Sequence, residues 1–207
     1  MMNILICYNK THPFTAGEYL ERSFRKKYNV CFFDLSLCPY YTNFYNKLPF
    51  FIPKGFPKSV QSIIKNFNKS FDLIIEVDGL GQYHLCGYKD VDIPSVLWGL
   101  DHDYSKIKFF NYIVDDFDYM FYCHRNFLNK IKKNVFWLPV ACDPEIHKKI
   151  DCKKIYDIVF IGSTNKKGRR VKMLKLLGER FNLNIFNNIY GEEMAKIYSQ
   201  SKIVFNK

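Results

Sequence analysis

The sequence lacks several things that would place it quickly. It has no long apolar run free of charge, so nothing in it is suited to span a bilayer as a helix. Its start, Met1-Met2-Asn3, leads straight into a strand-like run without a basic leader, which makes the cytoplasm the default compartment. Its seven cysteines, at 7, 31, 38, 86, 123, 142 and 152, form no C-x-x-C pair. That count and spacing argue against a disulfide framework and a zinc site, and for reduced thiols. Gly-x-Gly-x-x-Gly and the Gly-Lys-Ser/Thr ending of a P-loop are both missing. Acidic residues are short as well, 20 against 31 Lys and Arg, a net charge of +11. Such an excess attracts polyanions or phosphorylated ligands without choosing among them. No helix-turn-helix, RNP-like or zinc pattern accompanies it, so specific nucleic-acid binding is not expected.

What is present is a run of short apolar strands. With 48% apolar residues over 207 positions, one full domain and part of another can be built. Asn3 to Tyr8 reads as a buried strand, and Thr15 to Phe24 as a helix with a capping box at Thr15 and Glu18. Val30 to Phe33 completes a β-α-β opening. Residues 38 to 58, rich in proline and aromatics, read as an irregular excursion. A helix over 60–67 and strands at 73–77, 95–98, 119–122 and 135–138 follow, with a helix expected over 126–131. Cys142 to His147 and the charged stretch Lys148 to Lys154 read as a connection. A second unit then runs strand 156–161, helix 169–180, strand 183–186, helix 191–199 and strand 202–205. Alternation at this spacing predicts an α/β chain with doubly wound parallel sheets. The domains are expected at 1–147 and 148–207, the second being a weak echo of the first.

In open parallel sheets ligands bind beyond the carboxyl ends of strands, so residues just after each strand are the candidates. They are Asn9 to Gly17, Asp78 to Gly81, Asp101 to Asp103, and Gly162 to Arg170. In the last, strand 156–161 delivers Gly162-Ser163-Thr164-Asn165, then Lys166-Lys167-Gly168-Arg169-Arg170 at a helix start. Free N–H groups, the positive end of the helix dipole and two arginines would converge where a phosphate could sit. Charge-assisted bonds of this kind contribute about 1.5–3 kcal/mol each where partly desolvated. Pattern alone leaves a solvated basic loop as an equal reading. Of the two arginines, Arg170 is preferred. Asp101-His102-Asp103 sets an imidazole between carboxylates, where His102 could take a proton from a hydroxyl. A turn capped by the aspartates is the competing reading. His12 reads as a loop residue, and His84, His124 and His147 as structural or exposed. Tyr83, Tyr104 and Tyr190, near strand ends, could stack on a base or sugar.

Four stretches resemble the CgeB-like glycosyltransferases, a family named for a spore maturation protein. They are Asp118 to Tyr122, Asn134 to His147, Tyr156 to Gly162 and Glu193 to Asn206. The similarity runs from about residue 70 to the end. It implies a GT-B-like architecture, one complete Rossmann-like domain tending the acceptor and the first half of a second holding a nucleotide-sugar. Carried over, Gly162, Ser163 and Arg170 match the diphosphate loop, Tyr190 and Gly191 a turn near the nucleotide, and Asp101 the acid ending Trp98-Gly-Leu-Asp. Thr164, Asn165 and Arg169 complete the expected loop, and His102 becomes the acceptor base. The resemblance implies no bound metal or cofactor, because basic side chains and helix ends neutralise the leaving diphosphate. The acceptor, a glycan, protein or small molecule, is unspecified. The family's segment beyond Val-Phe-Asn, with a glutamate gripping the donor ribose, has no counterpart here. The expectation is therefore a truncated transferase with an uncovered second sheet edge that invites self-association. The alternative is a catalytically incomplete nucleotide- or glycan-binding protein of the same fold.

Overall fold

The computed structural model describes residues 1–10, 13–37, 59–77, 84–100, 104–164 and 168–206, with the backbone alone at 104–106. The excursion expected over 38–58 lies outside these residues. The chain divides into two units, Met1–Ala141 and Cys142–Lys207. The division falls earlier than the one expected after His147.

The first unit is built on a six-stranded sheet in the order β2-β1-β3-β4-β5-β6. Its strands are β1 (Asn3–Tyr8), β2 (Asn29–Asp34), β3 (Leu73–Val77), β4 (Ser95–Gly99), β5 (Tyr119–Tyr122) and β6 (Val135–Trp137). Every pairing is parallel. A parallel sheet covered on both faces needs apolar residues on both, which is why β1 reads Ile-Leu-Ile-Cys-Tyr without alternation. On one face Ile4, Ile6, Tyr8, Ile75, Val77 and Trp98 pack with Leu20 and Phe24 of α1 (Ala16–Phe24). On the other, Leu5, Cys7, Ile74, Leu97 and Met120 pack with Val60 and Ile63 of α2 (Val60–Phe67) and Phe109, Phe110 and Ile113 of α3 (Tyr104–Ile113). The fold is thus α/β, doubly wound and Rossmann-like in the broad sense. Its strand order reverses between β1 and β3, as in flavodoxin-type sheets, whereas the dinucleotide-binding order 3-2-1-4-5-6 sets the third strand beyond the second.

Helix α1 lies unusually close to β1. A Cβ at Gly17 would come within 2.2 Å of the Tyr8 ring, so only glycine admits this contact. Tyr8 in turn donates its hydroxyl to Glu21 Oε2 at 2.6 Å. Burial and that carboxylate hold the Tyr8 hydroxyl well above the ordinary tyrosine range. The expected capping box is half formed. Thr15 Oγ1 accepts from the Glu18 amide, but the Glu18 carboxylate accepts from Phe14 N–H rather than from Thr15. The shift coincides with Phe14 in the left-handed region, φ 63°.

The helix expected over 126–131 is instead a 3-10 segment, Arg125–Lys130. Its bonds run from Phe127 N–H to His124 O and from Ile131 N–H to Leu128 O. Six residues holding two asparagines give too few intrahelical bonds to sustain an α-helix.

The second unit is a three-stranded parallel sheet in the order β8-β7-β9, with β7 (Tyr156–Ile161), β8 (Leu183–Phe186) and β9 (Ser201–Val204). Its helices are α4 (Arg169–Gly178) and α5 (Gly191–Ser199). The order second-first-third is that of β2-β1-β3, so the echo between the two openings extends to a third strand. The stretch 148–154 is bound into this unit. Ile150 N–H donates to Ser199 Oγ, and the Lys154 ammonium donates to the carbonyls of Ser199 and Ser201 at 2.7 and 2.6 Å. A cation there complements the negative end of α5. No helix among the described residues is long and apolar enough to cross a membrane.

Candidate functional site

The turn from β7 to α4 brings most of the expected phosphate-loop residues together. Strand β7 leaves the sheet at Gly162, whose amide still donates to Phe186 O of β8 at 2.9 Å. Gly162 has φ 154°, and a Cβ there would meet the Phe160 ring at 2.9 Å, so the turn is closed over that ring. Phe160 is buried and touches Phe205 just past β9, with ring centres 6.3 Å apart. The exits of β7 and β9 therefore share one aromatic floor, at the point where the strand order reverses. Arg170 folds back over the same floor. Its guanidinium lies 5.7 Å from the Phe160 ring centre and donates to Ser163 O at 3.4 Å.

The start of α4 is electrostatically exposed. Gly168 precedes it with no side chain to cap the helix, no acidic residue occupies its first turn, and Arg169 and Arg170 are its first two residues. A helix start with no side-chain cap among the described residues, no acidic residue in its first turn and two arginines is a favourable place for an anion. The starts of α1, α2 and α5 differ. Thr15 caps α1, whose first turn holds Glu18, and Ser59 caps α2. Tyr190 precedes α5 without capping it, but Glu192 and Glu193 supply negative charge in its first turn. Tyr190 and Gly191, the latter at φ 55°, thus form a separate turn after β8. They are less suited to hold a phosphate than the α4 start.

Of the remaining expected site residues, Ser163 is exposed and Thr164 half-buried, both within the turn. Asn165, Lys166 and Lys167 lie outside the described residues, as do Asp101, His102, Asp103, His12, Tyr83 and Asp78 to Gly81. The Tyr104 side chain is also outside them.

The sequence reading missed a buried polar cluster in the first unit. Glu76, on β3, is fully buried in the larger core. Its Oε1 lies 2.8 Å from His84 Nδ1, while Oε2 accepts from the Tyr88 hydroxyl at 2.6 Å and the Leu85 amide at 3.3 Å. His84 Nε2 is 3.7 Å from Asp116 Oδ2, a half-exposed carboxylate. Burial by itself would strip the proton from His84. Glu76, helped by Asp116, more than offsets this and raises its pKa to about 9. The Tyr88 hydroxyl is pushed well above its ordinary range by burial and by Glu76. The cluster has a structural consequence. The descent from β3 to β4 carries a 3-10 turn at Tyr88–Asp90 among its described residues, and Glu76 binds that path through three groups. The available signal was a glutamate inside Leu73-Ile-Ile-Glu-Val77, an ionisable residue in an otherwise apolar central strand.

No group of three or more His, Cys, Asp or Glu with metal-ligand geometry occurs among the described residues. Comparison of the chain with family models and with curated proteins gives no match.

Proposed function

We propose that this chain is a glycosyltransferase, or part of one, that takes a sugar from a nucleotide-sugar donor and passes it to an acceptor hydroxyl. The observation carrying this reading is the start of α4, without a side-chain cap among the described residues and with Arg170 folded over the β7 exit, a site suited to a diphosphate. The resemblance to the CgeB-like family, and with it a GT-B arrangement whose donor side begins at residue 148, gives that anion its chemical identity. In such a transfer the bond from the anomeric carbon to the diphosphate oxygen breaks, and negative charge grows on the leaving group. Preorganised N–H donors and a guanidinium lower the cost of that charge without a metal ion. The acceptor proton needs a base, for which Asp101 and His102 are the candidates from sequence.

The test is calorimetric titration of the whole chain with UDP, GDP and their glucose conjugates, in EDTA. Saturable binding of at least one is expected, weakened at least about tenfold in the Arg169→Ala, Arg170→Ala double variant, the size of one lost charge-assisted bond. Equal affinity in the variant would sink the site assignment. Binding without transfer or hydrolysis would favour a non-catalytic nucleotide-binding protein of the same fold. Strand β9 exposes Ile203 and Val204, which supports self-association through that edge. Sedimentation with Ile203→Lys checks it.

A further inference from the structure

The second unit holds a cavity of about 280 Å³ that the donor reading does not use. One side is the stretch from His147 to Lys149 together with Lys154, and the other is Ala195, Tyr198 and Ser199 of α5. Ile150 N–H on Ser199 Oγ, and the Lys154 ammonium on the carbonyls of Ser199 and Ser201, staple that stretch to the end of the helix and leave a hollow beside it. The hollow lies at the entry end of the sheet, where Tyr156 of β7 pairs with Ser201 of β9, whereas Gly162 and Phe205 mark the exits. The six residues of β7, roughly 17–20 Å of strand, separate it from the α4 start.

Its charge is one-sided. His147 to Lys154 contains four lysines and a single acid, Asp151, which does not line the cavity. Lys148 and Lys149 are exposed and make no ion pair among the described residues. Lys154 is fixed by two neutral carbonyls, which leave its charge unbalanced and one of its three N–H donors to spare. The facing wall is mostly apolar. Ala195 is buried, and Tyr198 is half-buried with a hydroxyl that makes no hydrogen bond among the described residues. Burial pushes that hydroxyl above its ordinary range, so it keeps its proton and can donate it.

Three clustered ammoniums call for a ligand with about two negative charges. No arginine lines the cavity, so the planar fork that grips a carboxylate by two bonds is missing, while compact ammoniums suit the separate oxygens of a phosphate. The apolar wall with one hydroxyl suits the body that carries the phosphate. Small-molecule sites run to roughly 300–1,000 Å³, so this one has room for a single ring and none for a dinucleotide. We propose that the cavity binds a small phosphate monoester, its phosphate on Lys148, Lys149 and Lys154 and a single ring against Ala195 and Tyr198. This site stands or falls apart from the donor reading, which rests on the α4 start.

The experiment is calorimetric titration of the full chain at physiological salt with glucose 6-phosphate, ribose 5-phosphate, phenyl phosphate, inorganic phosphate, gluconate and glucose. At least one of the three esters is expected to bind saturably and more tightly than inorganic phosphate, gluconate or glucose, and which ester binds best separates a sugar body from an aromatic one. A Lys148→Ala, Lys149→Ala double variant should lose ester affinity at least about tenfold and keep its UDP affinity and its unliganded melting temperature. Tyr198→Phe should weaken the ester severalfold and leave inorganic phosphate unchanged. The Arg169→Ala, Arg170→Ala variant should bind the ester as the native chain does. Four results overturn the proposal: no ester binding to the native chain, gluconate or glucose binding as tightly as the best ester, ester affinity unchanged in the lysine or the Tyr198→Phe variant, or ester affinity lost in the arginine variant.

Discussion

After β1 the chain enters a helix whose start is closed by Thr15 and Glu18, while after β7 it enters one whose start carries two arginines and, among the described residues, no side-chain cap. The strand order around both exits is the same. What differs is the glycine and the charge beside each. Gly17 lets α1 press onto Tyr8, whereas nothing lies within 4 Å of where a Cβ on Gly168 would stand. One helix start is packed and neutralised, the other positive and without a side-chain cap among the described residues. Shared topology therefore fixes where a ligand can approach, and a handful of side chains decide which chemistry it must bring.

The firmest way to break this comparison is to loosen the unit that holds the packed turn. Glu76→Ala leaves His84 buried without its counter-charge and orphans the Tyr88 hydroxyl. It should destabilise the first unit by about 3–5 kcal/mol, read as a fall in urea midpoint. A pH series tests the same pair. His84 has a pKa of about 9 when folded against an ordinary value of about 6.5, so the unfolded chain loses this proton first as pH rises. The contribution should be complete below about pH 6.5 and gone above about pH 9. In a Glu76→Gln, His84→Gln double variant this slope should vanish.

Gly17→Ala comes next. The added methyl must displace the Tyr8 ring, and a loss of about 1–3 kcal/mol is expected in thermal unfolding. Gly168→Asp is the smallest and the most discriminating. Gly168 has φ 175°, an extended backbone any residue adopts, with open space around it. An aspartate there should cap α4 and stabilise the second unit by about 1 kcal/mol, while abolishing nucleotide binding by filling the anion position. It would turn the open exit into a copy of the closed one. Retained nucleotide affinity would mean the α4 start is not where the phosphate sits.

Much of this was legible in the sequence because the strands of doubly wound sheets are short unbroken apolar runs. Asn3 to Tyr8 and Tyr156 to Ile161 could be bounded to the residue. The passage from β7 to α4 was legible for a related reason, since a glycine just past an apolar strand marks a backbone requirement. Glu76 was not, because its partners His84 and Tyr88 lie 8 and 12 residues away at no helical or strand spacing. The 3-10 segment at Arg125–Lys130 was misread because apolar spacing over six residues does not tell one kind of turn from another.

The Glu76, His84 and Tyr88 cluster also constrains how this sequence can drift. Each member is held by a bond that another supplies, so their effects on stability will not add, and replacing any one leaves a charge or hydroxyl stranded in the core. A change at one position becomes tolerable only once a second has already occurred. Among descendants of this chain the three should persist together or vanish together, and a glutamate in the third strand beside an aliphatic residue at position 84 should be a rare passage between the two.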